Sequence, residues 1–204
     1  MKIDGIIKVM RKEFDLPKLL FWIFVIFWAA LAIKPLYRFD WFLENIVIFI
    51  SAPLVIWSYY KFRLSNFSYI LIFIFAILHV AAAHYTYGDT PWGDWLSQLL
   101  GLDRNHYDRI VHFLFGILMT PVVFNILKNY FPYRISVRNI FIFSIIVATG
   151  SLYEIAEFVV GILVEPEAGL AFLGFQGDIW DTQKDVLLQA VGSLLALTML
   201  QKRN

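Results

Sequence analysis

The sequence contains no cysteine. That excludes disulfides, thiolate nucleophiles and cysteine-ligated zinc together. Charge is also scarce. Asp, Glu, Lys and Arg make up 16% of the 204 residues, where soluble domains carry about 25%. The net charge of +1 leaves no basic surplus for nucleic acid. No HExxH, EF-hand loop, GxSxG or P-loop pattern occurs, so the familiar metalloprotease, calcium, esterase and nucleotide signatures are missing. The chain shows no internal repeat, low-complexity tract or long linker, which predicts one integral membrane domain over 1–204.

What remains is mostly apolar. Hydrophobic residues reach 60% and aromatics 18%, with a mean hydropathy of +0.68. A membrane-crossing helix needs about 20 apolar residues, range about 17–25. Six segments meet or approach that length: 19–33, 42–60, 67–84, 110–127, 139–162 and 185–200. Pro53 and Pro121 fall inside two of them and predict local bends. The expected fold is an all-α polytopic transmembrane bundle of six spans. Residues 1–14 precede it. There Ile3, Ile6, Ile7, Met10 and Phe14 recur at helical spacing among basic residues, predicting a short amphipathic helix in the interface.

Orientation follows from Lys and Arg. Twelve of the 17 fall in the N-terminal segment, the second-to-third and fourth-to-fifth connections, and the C-terminus. Both termini are therefore expected on the cytoplasmic side. The two long connections, 85–109 and 163–184, then face outward. The first, containing "GDTPWGD", reads as a turn-rich interfacial loop.

Ionisable groups gather at that outer end. His84 closes the third span, with His79 about 7–8 Å deeper. Asp108 and His112 sit at i, i+4 at the start of the fourth, on one face. Glu154 and Glu157 sit at i, i+3 in the fifth. Asp178, Asp181 and Asp185 lead into the sixth as one stripe if its helix begins early. Charge inside a span costs at least about 2.5–3.5 kcal/mol on insertion scales and usually faces a cavity or a partner. Each member also has an ordinary explanation. Carboxylates stabilise helix N-termini, and Asp108-Arg109 suits a solvated interfacial pair.

Carboxylates with imidazole suit a divalent metal such as zinc, manganese, iron or magnesium. In that reading His112, Glu157, Asp178, Asp181 and Asp185, with His84, are candidate ligands. Glu154, Glu157 and His112 are the candidate catalytic groups. Arg104, Arg109 and Asp108 are candidate substrate-binding residues, the arginines for an anionic head group. The reaction expected is hydrolysis of a lipid or lipid-linked envelope substrate. The same acids fit a proton-coupled transporter or flippase, for which a homodimer would supply the symmetry that the missing repeat does not. They also fit a purely structural role in tying helices together.

"AAAHYTYGDTP", "YDRIVHFLFG", "YEIAEF" and "LGFQGDIWDTQKDVLLQAVGSLL" together resemble the YjdF-type family of bacterial inner-membrane proteins, over about residues 20–200. The resemblance implies a small polytopic inner-membrane fold and supplies no activity. A weaker resemblance is to the VanZ-like family, linked to glycopeptide-antibiotic resistance. Asp108-Arg109 with His112 matches its Asp-Lys pair before a His, with Arg in place of Lys. Glu154 and Asp185 match its acidic span and its Asp-bearing entry to the last span. That resemblance implies an envelope-lipid or cell-surface role.

Overall fold

The computed structural model describes residues 15–132, 134–164, 169 and 175–202. The interfacial helix expected over 1–14 lies outside the described residues, as does much of the 163–184 connection. All regular structure among the described residues is helical: α1 (Leu16–Leu31), α2 (Arg38–Glu44), α3 (Ile46–Lys61), α4 (Asn66–Tyr85), α5 (Pro91–Leu100), α6 (Tyr107–Leu127), α7 (Ile135–Leu163) and α8 (Asp181–Gln201), with a 3₁₀ turn at Tyr87–Asp89.

Four stretches are long and apolar enough to cross a membrane: Arg38–Lys61, Asn66–Tyr85, Tyr107–Leu127 and Ile135–Leu163. The outermost two expected spans differ for distinct reasons. α1 has only 16 residues, about 24 Å of helix. α8 has 21, but Asp181, Lys184, Asp185 and Gln189 interrupt the apolar character of its first half. Outward-facing Trp22, Ile26, Leu152 and Ile155 are all more than half exposed. Such a belt of large apolar side chains belongs against hydrocarbon.

The second expected span is broken at Asn45, which separates α2 from α3. Asn45 is fully buried. Its Nδ2 donates to the Trp41 carbonyl at 2.6 Å, and its Oδ1 accepts from Trp28 Nε1 at 2.6 Å. A side chain that captures the carbonyl one turn back competes with the helix ladder. Helices α3 and α6 run through Pro53 and Pro121 without interruption.

The bundle has two distinct polar ends. At one, Asp15 pairs with Arg63 at 2.9 Å and accepts from Tyr59, while Ser65 N donates to Asn125 Oδ1 at 3.0 Å. At the other, the start of α8 meets the start of α6, and His84 meets the end of α1. Helices α6 and α8 run in the same direction and form the most extensive helix pair. Gly116 and Gly192 let them touch. A Cβ on Gly116 would collide with the Gln189 carbonyl oxygen, and one on Gly192 with that of Phe113. Small residues allow such close approach in membranes. A hydrogen bond from Thr120 Oγ1 to Ser193 Oγ (2.8 Å) closes the seam.

Candidate functional site

The "GDTPWGD" segment is a turn only in its first half, Tyr87–Asp89 forming the 3₁₀ turn, and is helical from Pro91. Thr90 and Pro91 start α5, with proline at the position where its missing N–H is no loss. Buried Asn105 anchors the connection from α5 to α6. Its Nδ2 donates to the Thr90 carbonyl (3.0 Å) and to Asp94 Oδ1 (2.9 Å), and its Oδ1 accepts from the Tyr107 amide (3.0 Å). Gln176 then clamps the far connection to the same residue. Its Oε1 accepts from Asn105 N (2.9 Å), and its Nε2 donates to the Asn105 carbonyl (3.1 Å).

This clamp sets the arginines against the aspartates. Arg104 holds Asp181 through two nitrogens, at 2.6 and 3.1 Å, and reaches the Phe175 carbonyl at 3.2 Å. Arg109 donates to Asp181 Oδ1 at 2.9 Å and also to Asp178. Lys184 completes the group on Asp178 at 2.5 Å. The Lys184 ammonium foremost, with the Trp180 amide and Arg109, holds the Asp178 carboxyl well below the usual carboxylate range. Helix α8 begins at Asp181, not Asp185, because Asp178 accepts from the Trp180 amide and the turn starts there.

One turn further in, the cations stop and the acids continue. Oxygens of Asp108, Asp181 and Asp185 lie within 4.8 Å of one another. His112 Nε2 is 3.1 Å from Glu154 Oε1 and 3.5 Å from Asp108 Oδ1. Asp185 is 1% exposed and Glu154 6%. Asp185 Oδ1 and Glu154 Oε1 are buried without a well-formed hydrogen bond, as is Arg109 Nε. Buried polar atoms in native structures normally have partners. Asp178 and Asp181 are paired with Arg104, Arg109 and Lys184, whereas Asp108, Asp185 and Glu154 have no Lys or Arg at ion-pair distance among the described residues.

Several expected members stand elsewhere. His84 Nδ1 lies 2.7 Å from the Leu31 carbonyl, tying α4 to α1. Glu157, half-buried, lies in the electrostatic neighbourhood of Glu44 and Glu154. Asp178 is engaged by Arg109 and Lys184. The two arginines expected to hold a head group are already occupied by aspartates.

A second buried polar set was not foreseen. Tyr153 donates to Glu44 Oε2 at 2.7 Å, and His79 bridges the Glu44 carbonyl (3.0 Å) and the Tyr87 hydroxyl (2.6 Å). The signal was available: Glu44 is an acid inside the second apolar stretch, and such acids call for a partner. Between the two sets lies a cavity. Val47, Phe75, Val111 and Phe115 supply apolar wall, and His112 lines it from the acid cluster.

Comparison with known proteins accords with this architecture. The family described as "Predicted membrane protein (DUF2238)" matches residues 16–204. The chain is 29% identical over 166 residues to "Inner membrane protein YjdF" of Escherichia coli (strain K12), covering 81% of this chain and 79% of that protein. No solved structure matches. With residues 16–204 aligned to the family and helices able to cross a bilayer, this is an inner-membrane protein that belongs to the DUF2238, or YjdF-type, family.

Proposed function

We propose that the protein is a divalent-cation-dependent hydrolase of a lipid or lipid-linked envelope substrate, working at the outer leaflet of the inner membrane. One observation carries the reading. Three carboxylates from α6 and α8 converge within 4.8 Å, and the most buried of them has an oxygen with no partner. A divalent ion would give the unpartnered carboxylate oxygens a ligand role. Oxygen donors suit magnesium or manganese, and His112 beside them extends the range to zinc and iron. Such an ion, when bound, lowers the pKa of water and polarises an ester or phosphoester oxygen. In the reaction water adds to that centre, His112 backed by Glu154 takes its proton, and the proton then passes to the leaving oxygen. The VanZ-like resemblance points to the same substrate class.

Metal analysis of full-length protein purified without chelators tests this directly. Wild type is expected to hold near-stoichiometric metal, and Asp108→Asn and Asp185→Asn to lose it while remaining folded. A folded, metal-free wild type overturns the reading.

Proton-coupled transport is the second reading. The Glu44–Tyr153 and His79–Tyr87 pairs favour it, because they and His112 flank one cavity across the bundle. It belongs with a homodimer. Flux in proteoliposomes that follows a pH gradient and disappears in Glu154→Gln would select it, and no flux under any gradient would remove it.

Six crossings in a single domain over 1–204, with both termini cytoplasmic, complete the proposal. In support, α1 begins and α8 finishes at the same end of the bundle. The lysine and arginine distribution assigns that end to the cytoplasm. Because the chain lacks cysteine, Asp103→Cys and Lys202→Cys give clean accessibility probes. Labelling of position 103 from outside and of 202 only after permeabilisation is expected. The reverse pattern overturns the orientation.

A further inference from the structure

The cavity between α3, α4, α6, α7 and α8 has a chemical character of its own. Its walls are mainly apolar, and the polar side chains among them are already satisfied. Tyr153 donates to Glu44, His79 and Tyr87 bond each other, and Gln189 Nε2 donates to the Ile146 carbonyl at 2.7 Å. None of the buried, unpartnered side-chain atoms among the described residues belongs to a lining residue. A polar ligand would find nothing unmet there.

His112 gives the cavity direction. Its ring lines the space while its Nε2 sits 3.1 Å from Glu154 Oε1. Phe115 lies nearly one helical turn deeper, and Phe75 lies deeper still along α4, about 15 Å from Tyr85 at the helix end. The space therefore leads from the acid cluster toward the bilayer centre. An occupant that is polar at His112 and apolar beyond it is an amphiphile aligned with the surrounding lipid.

We propose that this cavity binds a hydrocarbon chain of a membrane lipid, with the lipid's polar end presented at His112 to the carboxylate cluster. The proposal rests on the reading of that cluster as the reacting site and supplies the substrate's apolar half. An ordinary packing void predicts a different result: filling it would stabilise the protein and alter no ligand.

A diazirine-bearing palmitic acid, photolysed with the full chain in nanodiscs, tests it by peptide mapping. Adducts on Phe75, Phe115 or Tyr153 are expected, beside adducts on lipid-facing Leu152. Val111→Phe, which extends into the space, is expected to lower the interior adducts about tenfold and leave Leu152 unchanged, as overpacking would. Phe115→Trp serves the same purpose where Val111→Phe does not fold. Adducts confined to lipid-facing residues overturn the proposal, as do interior adducts indifferent to both fillers. Asp185→Asn separates the two claims. Interior adducts that persist in it, with metal absent even from wild type, leave the chain pocket standing and remove the metal site. Metal without interior adducts does the opposite.

Discussion

Two buried sets of carboxylates lie on either side of one cavity, and they are built on opposite principles. Around Glu44 the central groups meet one another: tyrosine hydroxyl to carboxylate, imidazole to carbonyl and phenol. Around Asp185 there are more acids than cations, and buried oxygens are left over. A satisfied network fixes helices. An unsatisfied one, at the depth of Asp185 and Glu154, needs a further partner to justify its burial. Identical residue types thus separate, by their accounting of donors, into a brace and the cluster proposed above to hold a cation.

The sharpest way to break this contrast is one substitution made one turn apart. Asp181→Asn strips both arginines of their shared carboxylate and is expected to destabilise the protein by about 3–5 kcal/mol, read from unfolding in detergent. Asp185→Asn removes an acid with no cation of its own and is expected to leave stability unchanged or raised, with metal lost. Equal destabilisation by both would mean that the two acids are not different in kind.

Next in size is Gly192→Leu. It forces α6 and α8 apart, and overpacking of this kind costs about 1–3 kcal/mol. Metal should fall with it, because Asp108 and Asp185 sit on the separated helices. Retained metal would place the site elsewhere. Tyr153→Phe probes the brace alone. It leaves the Glu44 carboxyl short of a donor, for about 1 kcal/mol, and metal content should not move.

The smallest effect is expected from Lys184→Ala, at the exposed edge. The Asp178 carboxyl is held low mainly by that ammonium. A depressed carboxyl pKa contributes fully above the unfolded value of about 3.9 and is lost only as pH falls through the folded one. Melting temperature should therefore owe nothing to Asp178 titration between pH 8 and 5. Lys184→Ala should bring the acid-induced loss in at higher pH. A wild-type transition near pH 6 that vanishes in Asp178→Asn would contradict this.

Much of this was legible in the sequence because it repeats at helical spacing. Asp108 and His112, and the stripe of Asp181 and Asp185, declared both their faces and their end of the bundle. The arginine pairings were not legible. Arg104 and Asp181 are 77 residues apart, and composition alone cannot distinguish an arginine awaiting a head group from one already engaged. Glu44 was missed for a related reason: near a span boundary it reads as interfacial, and its partner Tyr153 is 109 residues away. The break at Asn45 depends on two side-chain hydrogen bonds that no periodicity records. Helix α5 was hidden by its own Pro91 and Gly93, which mark its start as readily as a turn.

The glycine seam between α6 and α8 has a consequence for ion choice. Asp108 projects from one helix of that pair, and Asp181 and Asp185 from the other, and the backbones between them are already in contact. The three carboxylates cannot spread or close by sliding these helices. Calcium tolerates flexible shells of 6–8 oxygens at about 2.3–2.6 Å, whereas magnesium needs a tight octahedron near 2.0–2.1 Å and retains water. For the cation proposed above, a seam of fixed width would make ionic radius the selecting quantity.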